Sequence, residues 1–303
     1  MMLRVLGWIL FLVLLADPAS AANLASTRPW PGVTIEQHAA SNPPVRYFVA
    51  TIDLTNPNIH LKVSRGGTDP NLTPPWETTL MQVSEMAARD GLAVAVNGNL
   101  FEGKDTRDIL GQKVPYFPGN WARTSGWAMS DGVVFSDFPA DSYRASLVVN
   151  DKGEVKMGVF QHLPADARQV VSGLGFIITD GRNIAPPDND YGSIQQPIAH
   201  TAVGIDHDGK TLYMFVVDGK RPDFSVGMTP HNVADHLLQL GAWNALMMDS
   251  GGSTTMVVRD AGGTPRVINE PSDGHGLFNL SVERNVANAL GVIIGNPSSR
   301  PSQ

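Results

Sequence analysis

Turn residues that tolerate a left-handed backbone recur between short β-branched and apolar runs along this chain, and that punctuation limits its fold more than any other feature. Asp131-Gly132 separates residues 127–130 from 133–136, and Asp208-Gly209 separates 202–206 from 211–217. Asp151-Lys152-Gly153 stands between 147–150 and 154–157. Each pair reads as a β-hairpin, because Gly and Asp accept the positive φ angles of tight turns. Tyr47-Phe48-Val49-Ala50-Thr51-Ile52 and Ile59-His60-Leu61-Lys62-Val63 read as two further strands. Strands therefore outnumber helices.

Only two segments carry convincing helical spacing. The first covers residues 79–89, with Leu80, Val83, Met86 and Ala87 on one face and Gly91 as its stop. The second has Thr229 as N-cap and Pro230 at the first helical position, where its missing N–H costs nothing. Val233, Leu237 and Leu240 follow at helical spacing before Gly241. Each helix leads into an apolar strand, 92–96 or 245–248, that ends in a polar residue and a glycine-containing loop. Those loops are Asn97-Gly98-Asn99 and Asp249-Ser250-Gly251-Gly252. The parallel suggests a pseudo-repeated core with both loops at one edge. The expected fold is α+β: one strand-rich domain with several β-hairpins and two main helices packed on a mixed or antiparallel sheet.

The first residues read as an address. Arg4 precedes an apolar run over 5–16, and Ala19-Ser20-Ala21 offers small residues for cleavage, the pattern of a secretory signal peptide over 1–21. Such a run is too short for a helix spanning a bilayer, which needs roughly 20 residues. The expected location is secreted or periplasmic after cleavage near Ala21, with no transmembrane anchor. Residues 22–44, rich in Pro, Ala, Ser and Thr, read as an irregular lead-in; 45–295 as the domain; 296–303 as a disordered tail. The chain has no cysteine, which removes disulfides, thiolate metal sites and cysteine lipidation. A net charge of −7 argues against non-specific nucleic-acid binding. Oligomeric state is left open.

Asp249-Ser250-Gly251-Gly252-Ser253-Thr254-Thr255-Met256 is the strongest local signal. A glycine pair after an apolar strand lets a ligand approach the main chain. Exposed N–H groups there, with the hydroxyls of Ser253, Thr254 and Thr255, would form a nest for a phosphate or sugar oxygen. A serine-hydrolase elbow and a nucleotide P-loop are both missing. His231 and His236 are five apart, which turns them to different helix faces. No metal or cofactor is expected in the site; Asp188-Asn189-Asp190 could hold a structural calcium ion.

With its preceding Met248, that segment resembles the Leu-Asp-Gly-Gly-Gly-Ser-Thr-Thr-Met signature of the phosphodiester glycosidase family. Val96-Asn97-Gly98-Asn99-Leu100-Phe101 is similar to the family's apolar-Asn-Gly-x-x-Phe segment. His200-Thr201-Ala202-Val203-Gly204-Ile205 resembles its Arg-Thr-Ala-Ile-Gly strand, followed by Val217-Asp218-Gly219-Lys220-Arg221. Glu283-Arg284-Asn285-Val286-Ala287-Asn288-Ala289-Leu290-Gly291 resembles the closing Arg-x-Val-x-Asn-x-Leu-Gly. These ordered matches span roughly residues 45–294.

The resemblance implies hydrolysis of a sugar-1-phosphodiester at the anomeric C–O bond, with a phosphoglycan or sugar-phosphodiester partner. An oxocarbenium-like transition state asks for carboxylates at C1, and Asp249, Asp218 and Glu283 are the candidates in that order. The leaving phosphate asks for cations and N–H donors, here Arg221, Arg284, His200 and the Ser250–Gly251–Gly252–Ser253–Thr254 loop. Asn97, Asn99 and Asn288 are candidates for sugar hydroxyls, with Gly98 and Thr201 beside them. Ser250 stands where the family has glycine, and at a positive φ it would cost on the order of 1 kcal/mol. His200 stands where the family has arginine, and Asn285 where proline is frequent. The alternative function is a non-catalytic glycan- or phosphoglycan-binding envelope protein on the same scaffold.

Overall fold

The computed structural model describes residues 22–68, 76–138, 145–186, 197–274 and 281–295. Among them strands dominate, and two α-helices are present, α1 (Val83–Asp90) and α2 (Pro230–Leu240). Every described strand pairing is antiparallel. The expected single sheet, mixed or antiparallel, is replaced by four antiparallel sheets.

An eight-stranded sheet runs in the order Ala22–Trp30, Val33–Ser41, Pro44–Asp53, Thr211–Val217, His200–Ile205, Asn244–Met247, Gly175–Thr179, Arg182–Asn183. A five-stranded sheet runs Pro265–Val267, Met256–Arg259, Val94–Asn97, Asn288–Ile294, Ile59–Arg65. Another five-stranded sheet holds Val133–Phe138, Gly126–Ser130, Ala167–Ser172, Ala145–Asn150 and Val155–Val159. The smallest holds Gly67–Thr68, Thr78–Thr79, Trp121–Thr124 and Phe101–Gly103.

Alternation along the strands builds the layers. Val203 and Leu246 point into a central cluster, whereas Ala202, Ala245 and Met247 point the other way, onto Val233, Ala234 and Leu237 of α2. In the first five-stranded sheet, Val94, Val96, Leu290 and Val292 enter that same central cluster. Ala95, Val257 and Ala289 instead meet Val83, Met86 and Ala87 of α1. The order is therefore helix, sheet, core, sheet, helix. Leu147, Val149 and Val171 of the other five-stranded sheet add to the same core.

The three hairpins form as their turn residues require. Ser130 pairs with Val133 across Asp131 (φ 50°) and Gly132 (φ 82°), both left-handed, as a type I′ turn demands. Leu147 pairs with Met157, and Ile205 with Leu212. Residues 22–44 depart from the irregular lead-in expected of them: Ala22–Trp30 and Val33–Ser41 pair about Gly32 (φ 82°). Prolines concealed this pattern, and an edge strand is where a missing N–H is tolerated. Val33 and Ile35 nevertheless alternate into the core.

Helix α2 begins at its Thr229 cap, whose hydroxyl accepts from Asn232 N at 3.2 Å. Helix α1 starts at Val83 and not near 79, because Thr78–Thr79 is committed to a strand between Gly67–Thr68 and Trp121–Thr124. Both helices end on a left-handed glycine, Gly91 (φ 63°) and Gly241 (φ 102°). Leu92 N then bonds Ala87 O, and Ala242 N bonds Leu237 O, in matching positions. Both following strands lie inside their sheets, with antiparallel neighbours on either side. A bond from Asp249 N to Gly98 O at 3.2 Å joins the two loops at one edge.

Candidate active site

The polar residue that ends each helix–strand unit is what locks the two units together. Asn97 is buried; its amide donates to Asp249 O at 2.7 Å, and its Oδ1 accepts from Thr201 Oγ1 at 2.6 Å and Thr255 N at 3.2 Å. Asn99 donates to Ser125 O and Trp127 O at 2.9 and 3.1 Å. Its Oδ1 accepts from Asn288 Nδ2 at 2.9 Å, while Asn288 Oδ1 accepts from Asn99 N at 2.8 Å. A Cβ on Gly98 would lie 2.2 Å from Asn288 Oδ1, so only glycine lets this asparagine pair close. The structure thus ties all three buried asparagine amides to the scaffold, because buried amides must be satisfied locally.

The Asp249 loop follows. Ser250 has φ −130°, ordinary extended backbone, so serine carries no strain there; the left-handed residue is Gly251 at φ 66°. Ser250 Oγ donates to Met248 O at 3.1 Å and meets His200 Nδ1 at 2.9 Å. The hydroxyl has one hydrogen, so this network assigns the Nδ1 proton to His200. His200 is fully buried at the start of its strand, where it holds Ser250. Several main-chain donors expected to form an anion nest bond within the protein. Ser250 N goes to Asp249 Oδ1, Gly251 N to Ala199 O, Thr254 N to Gly251 O and Thr255 N to Asn97. The hydroxyl-bearing residues Ser253, Thr254 and Thr255 are buried as well.

What remains at the loop is a carboxylate and a fixed cation. Arg284 makes a two-pronged pair with Asp273, Nε to Oδ2 at 2.7 Å and Nη2 to Oδ1 at 2.9 Å, and its Nη1 reaches Ser253 Oγ at 3.3 Å. Its guanidinium lies 4.0 Å from the centre of the Tyr116 ring. Gly252 packs directly on this pair: a Cβ there would stand 2.1 Å from both Arg284 Nη2 and Asp273 Oδ1. Burial pushes the Asp249 carboxyl up to about 6, against hydrogen bonds from Ser253 and Ser250 N and the pull of Arg284. Lys220 adds a second cation, its Nζ 3.5 Å from where a Gly251 Cβ would project. Sequence reading gave no role to Asp273 or Tyr116, which lie in irregular segments without a motif. Lys220 stood in a quoted motif without a role.

Two other acids sit elsewhere. Asp218 is buried behind the loop; its Oδ1 accepts from Asn269 Nδ2 at 3.1 Å and Glu270 N at 2.8 Å. Asn269 also donates to Thr254 O and accepts from Met256 N, which couples Asp218 to the loop's exit. Asp218 Oδ2 has no hydrogen-bond partner among the described residues, and burial pushes the carboxyl up to about 7. Glu283 lies at the start of α1, accepting from Ser84 N at 2.8 Å and Ser84 Oγ at 2.5 Å. It serves the helix N-terminus, where free N–H groups and the dipole favour a carboxylate. Arg221 pairs with Glu270 at 3.0 Å and stacks 4.5 Å over Phe224. Among the described residues no group of three or more His, Asp or Glu side chains could hold a metal ion. Asp188-Asn189-Asp190 and residues 1–21 and 296–303 lie outside the described residues.

The phosphodiester glycosidase family model matches residues 90–293, more than half of the chain. The chain belongs to this family. The match takes in the Asn97, His200, Asp218, Asp249 and Arg284 segments together. The fold is similar to the catalytic domain of zebrafish N-acetylglucosamine-1-phosphodiester α-N-acetylglucosaminidase, a structure auto-inhibited by its pro-peptide. That likeness has a TM-score of 0.59 at 20% identity, over 91% of this chain and 87% of that one. A protein of Burkholderia pseudomallei K96243 assigned to export aligns with a TM-score of 0.50 at 15% identity, over 82% and 74%. In sequence, an uncharacterized SPbeta prophage-derived protein of Bacillus subtilis, YomE, is 27% identical over 173 residues. This chain spans about a quarter of that protein's length, and the match takes in 54% of this chain. No helix among the described residues is long and apolar enough to cross a membrane.

Proposed function

We propose that this protein is an exported hydrolase that cleaves the anomeric C–O bond of a sugar-1-phosphodiester in a phosphate-linked glycan. Asp249 carries the reading: a carboxyl only 8% exposed and held near 6, on a glycine loop beside a guanidinium that two partners keep in place. Ionised at neutral pH, it supplies the negative charge that an oxocarbenium-like carbon requires. Arg284 and Lys220 lie by the loop, where charge would build on the leaving phosphate. Because the phosphomonoester released by C–O cleavage leaves as a weak base, the site does not depend on strong general-acid help. Asp218 acts from behind as a positioning residue, through Asn269 and Thr254 O. Family membership supports the reaction class, and the expected signal peptide supports export.

The His200–Ser250 pair favours a second reading, a phosphoglycan-binding protein without turnover. At these two positions the family motif carries arginine and glycine, so this chain holds a hydrogen-bonded histidine–serine pair where a guanidinium would stand. A turnover screen of the purified protein against sugar-1-phosphodiesters in heavy-oxygen water separates the readings. Label in the released sugar is the expected result, and label in the phosphate would overturn the glycosidase mechanism. Binding without turnover, converted to turnover by Ser250→Gly with His200→Arg, would establish the second reading.

A further inference from the structure

Next to the candidate site, the chain shows apolar side chains that no described residue covers. Between the strands Phe101–Gly103 and Trp121–Thr124 the chain makes a projecting turn, with Ile109 100% and Leu110 76% exposed at its tip. Phe117 (56%) and Tyr116 (41%) are exposed on the same excursion. Of the other large exposed apolar residues, Val133, Val159 and Ile184 lie far apart in the chain, an ordinary finding for scattered residues.

The turn is built, not slack. Gly111 N closes it on Asp108 O at 3.0 Å, with Gly111 at φ 76°. Asp108 Oδ1 accepts from both Leu110 N and Gln112 N, and Arg107 Nη1 donates to Gly111 O at 2.7 Å. Below it, Val114 N bonds Thr106 O, and the buried Asn120 amide ties Lys104 O to Pro115 O. Ile109 and Leu110 are thus held outward at the middle of a tight turn, a place where polar residues are the usual choice. The turn carries three cations, Lys104, Arg107 and Lys113, against two anions, Asp105 and Asp108, a local excess of one positive charge within a chain of net charge −7. Asp108 is already committed to the turn, and Lys113 lies 3.5 Å from Asp105.

From this geometry we propose that the turn around Ile109 and Leu110 docks the protein on an anionic lipid bilayer, the aliphatic tip entering the acyl boundary. The cations then sit at headgroup level, and Tyr116 and Phe117 occupy the interface, the depth aromatic rings prefer. A bilayer suits this shape better than a second protein. A convex tip of two aliphatic residues falls far short of the roughly 800 Å² per partner that a stable protein interface buries. A bilayer needs no complementary groove. The tip also adjoins the candidate site, since Tyr116 stacks on Arg284 and Asn285 Nδ2 donates to Tyr116 O at 3.1 Å. Docking there would present the Asp249 loop to a phosphodiester carried at a membrane surface. That consequence rests on the function proposed above; the docking itself does not.

Co-sedimentation with vesicles tests the docking without reference to turnover. Vesicles of mixed phosphatidylglycerol and phosphatidylethanolamine should pellet the protein, and pure phosphatidylcholine vesicles should pellet it more weakly. Ile109→Ser with Leu110→Ser should lower binding to the mixed vesicles by at least about tenfold at unchanged Tm, and Val133→Ser should leave it as it was. Because the chain has no cysteine, Ile109→Cys accepts a single environment-sensitive fluorophore, whose emission should shift to the blue on those vesicles. Failure to bind either vesicle, or wild-type binding by the double serine variant, would overturn the proposal. So would a lipid-free dimer that the double serine variant converts to monomer, since the tip would then serve a second copy of the chain.

Discussion

Asp249 concentrates the chemistry of the site in one residue. Its carboxyl is raised to about 6 chiefly by burial, so the charged form fills as pH rises through that value. If catalysis uses the anion, kcat/KM should climb with pH up to about 6 and level off above it. Asp249→Asn should lose turnover by about a thousandfold or more with the circular dichroism unchanged; a variant that keeps full activity removes Asp249 from the mechanism. The neighbouring Gly252 carries a structural constraint of its own. An alanine methyl would force the Arg284–Asp273 pair apart, so Gly252→Ala should cost about 1–3 kcal/mol in urea unfolding. These residues were legible because the loop carries a recognisable order of small and polar side chains. Asp273 was not, since its meaning depends on reaching Arg284 across an irregular segment. Ser250 was legible as a departure, yet its cost was not: only the backbone shows that the left-handed position is Gly251.

At the scale of elements, α1 is a short helix whose start depends on a side chain from far along the chain. Glu283 accepts two hydrogen bonds from Ser84, so Glu283→Ala should destabilise the protein by about 1–2 kcal/mol in chemical denaturation. Turnover per folded molecule should stay within about threefold, since that change in barrier is under 1 kcal/mol. A loss as deep as that of Asp249→Asn would make Glu283 catalytic after all. Helix α2 was readable because its signals are local: Thr229, Pro230 and Gly241 act within one turn of the helix ends. The start of α1 was not, because Thr78–Thr79 is claimed by strands on both sides, and strand pairing is invisible in a window of one segment. The lead-in over 22–44 was misread for a related reason. Prolines mark breaks in isolation, but Pro29 lies in the edge strand Ala22–Trp30, which among the described residues pairs only with Val33–Ser41 and tolerates a missing N–H.

Across the whole molecule, two buried carboxyls resist ionisation and couple folding to pH. Asp218 and Asp249 are raised above the ordinary carboxylate value, to about 7 and about 6, so between roughly pH 4 and 7 these two groups hold more protons in the folded state than in the unfolded chain. Stability from these groups is full below the unfolded value and is lost as pH rises through the folded ones. Their contribution to the melting temperature should therefore decline from pH 5 to pH 7, against the opposite trend of His38 and His236, whose pKa burial lowers. Asp218→Asn should flatten that decline by an amount on the order of a few kcal/mol. An unchanged slope would show that Asp218 ionises freely in the fold.

By itself, the sequence determined the strand-rich class, the hairpin turns, the two glycine-stopped helices and the order of the family motifs. All of these rest on contacts within a few residues, or on a pattern that a linear string displays. Only the tertiary structure decided which polar groups are tied into the frame. The three asparagines, His200 and Glu283 stand in motif positions, yet buried donors and acceptors must be paired, and distant segments supply those partners. Asp249 alone among the expected acids lies on the glycine loop beside a fixed guanidinium, because two helix–strand units and the closing strand meet at that edge.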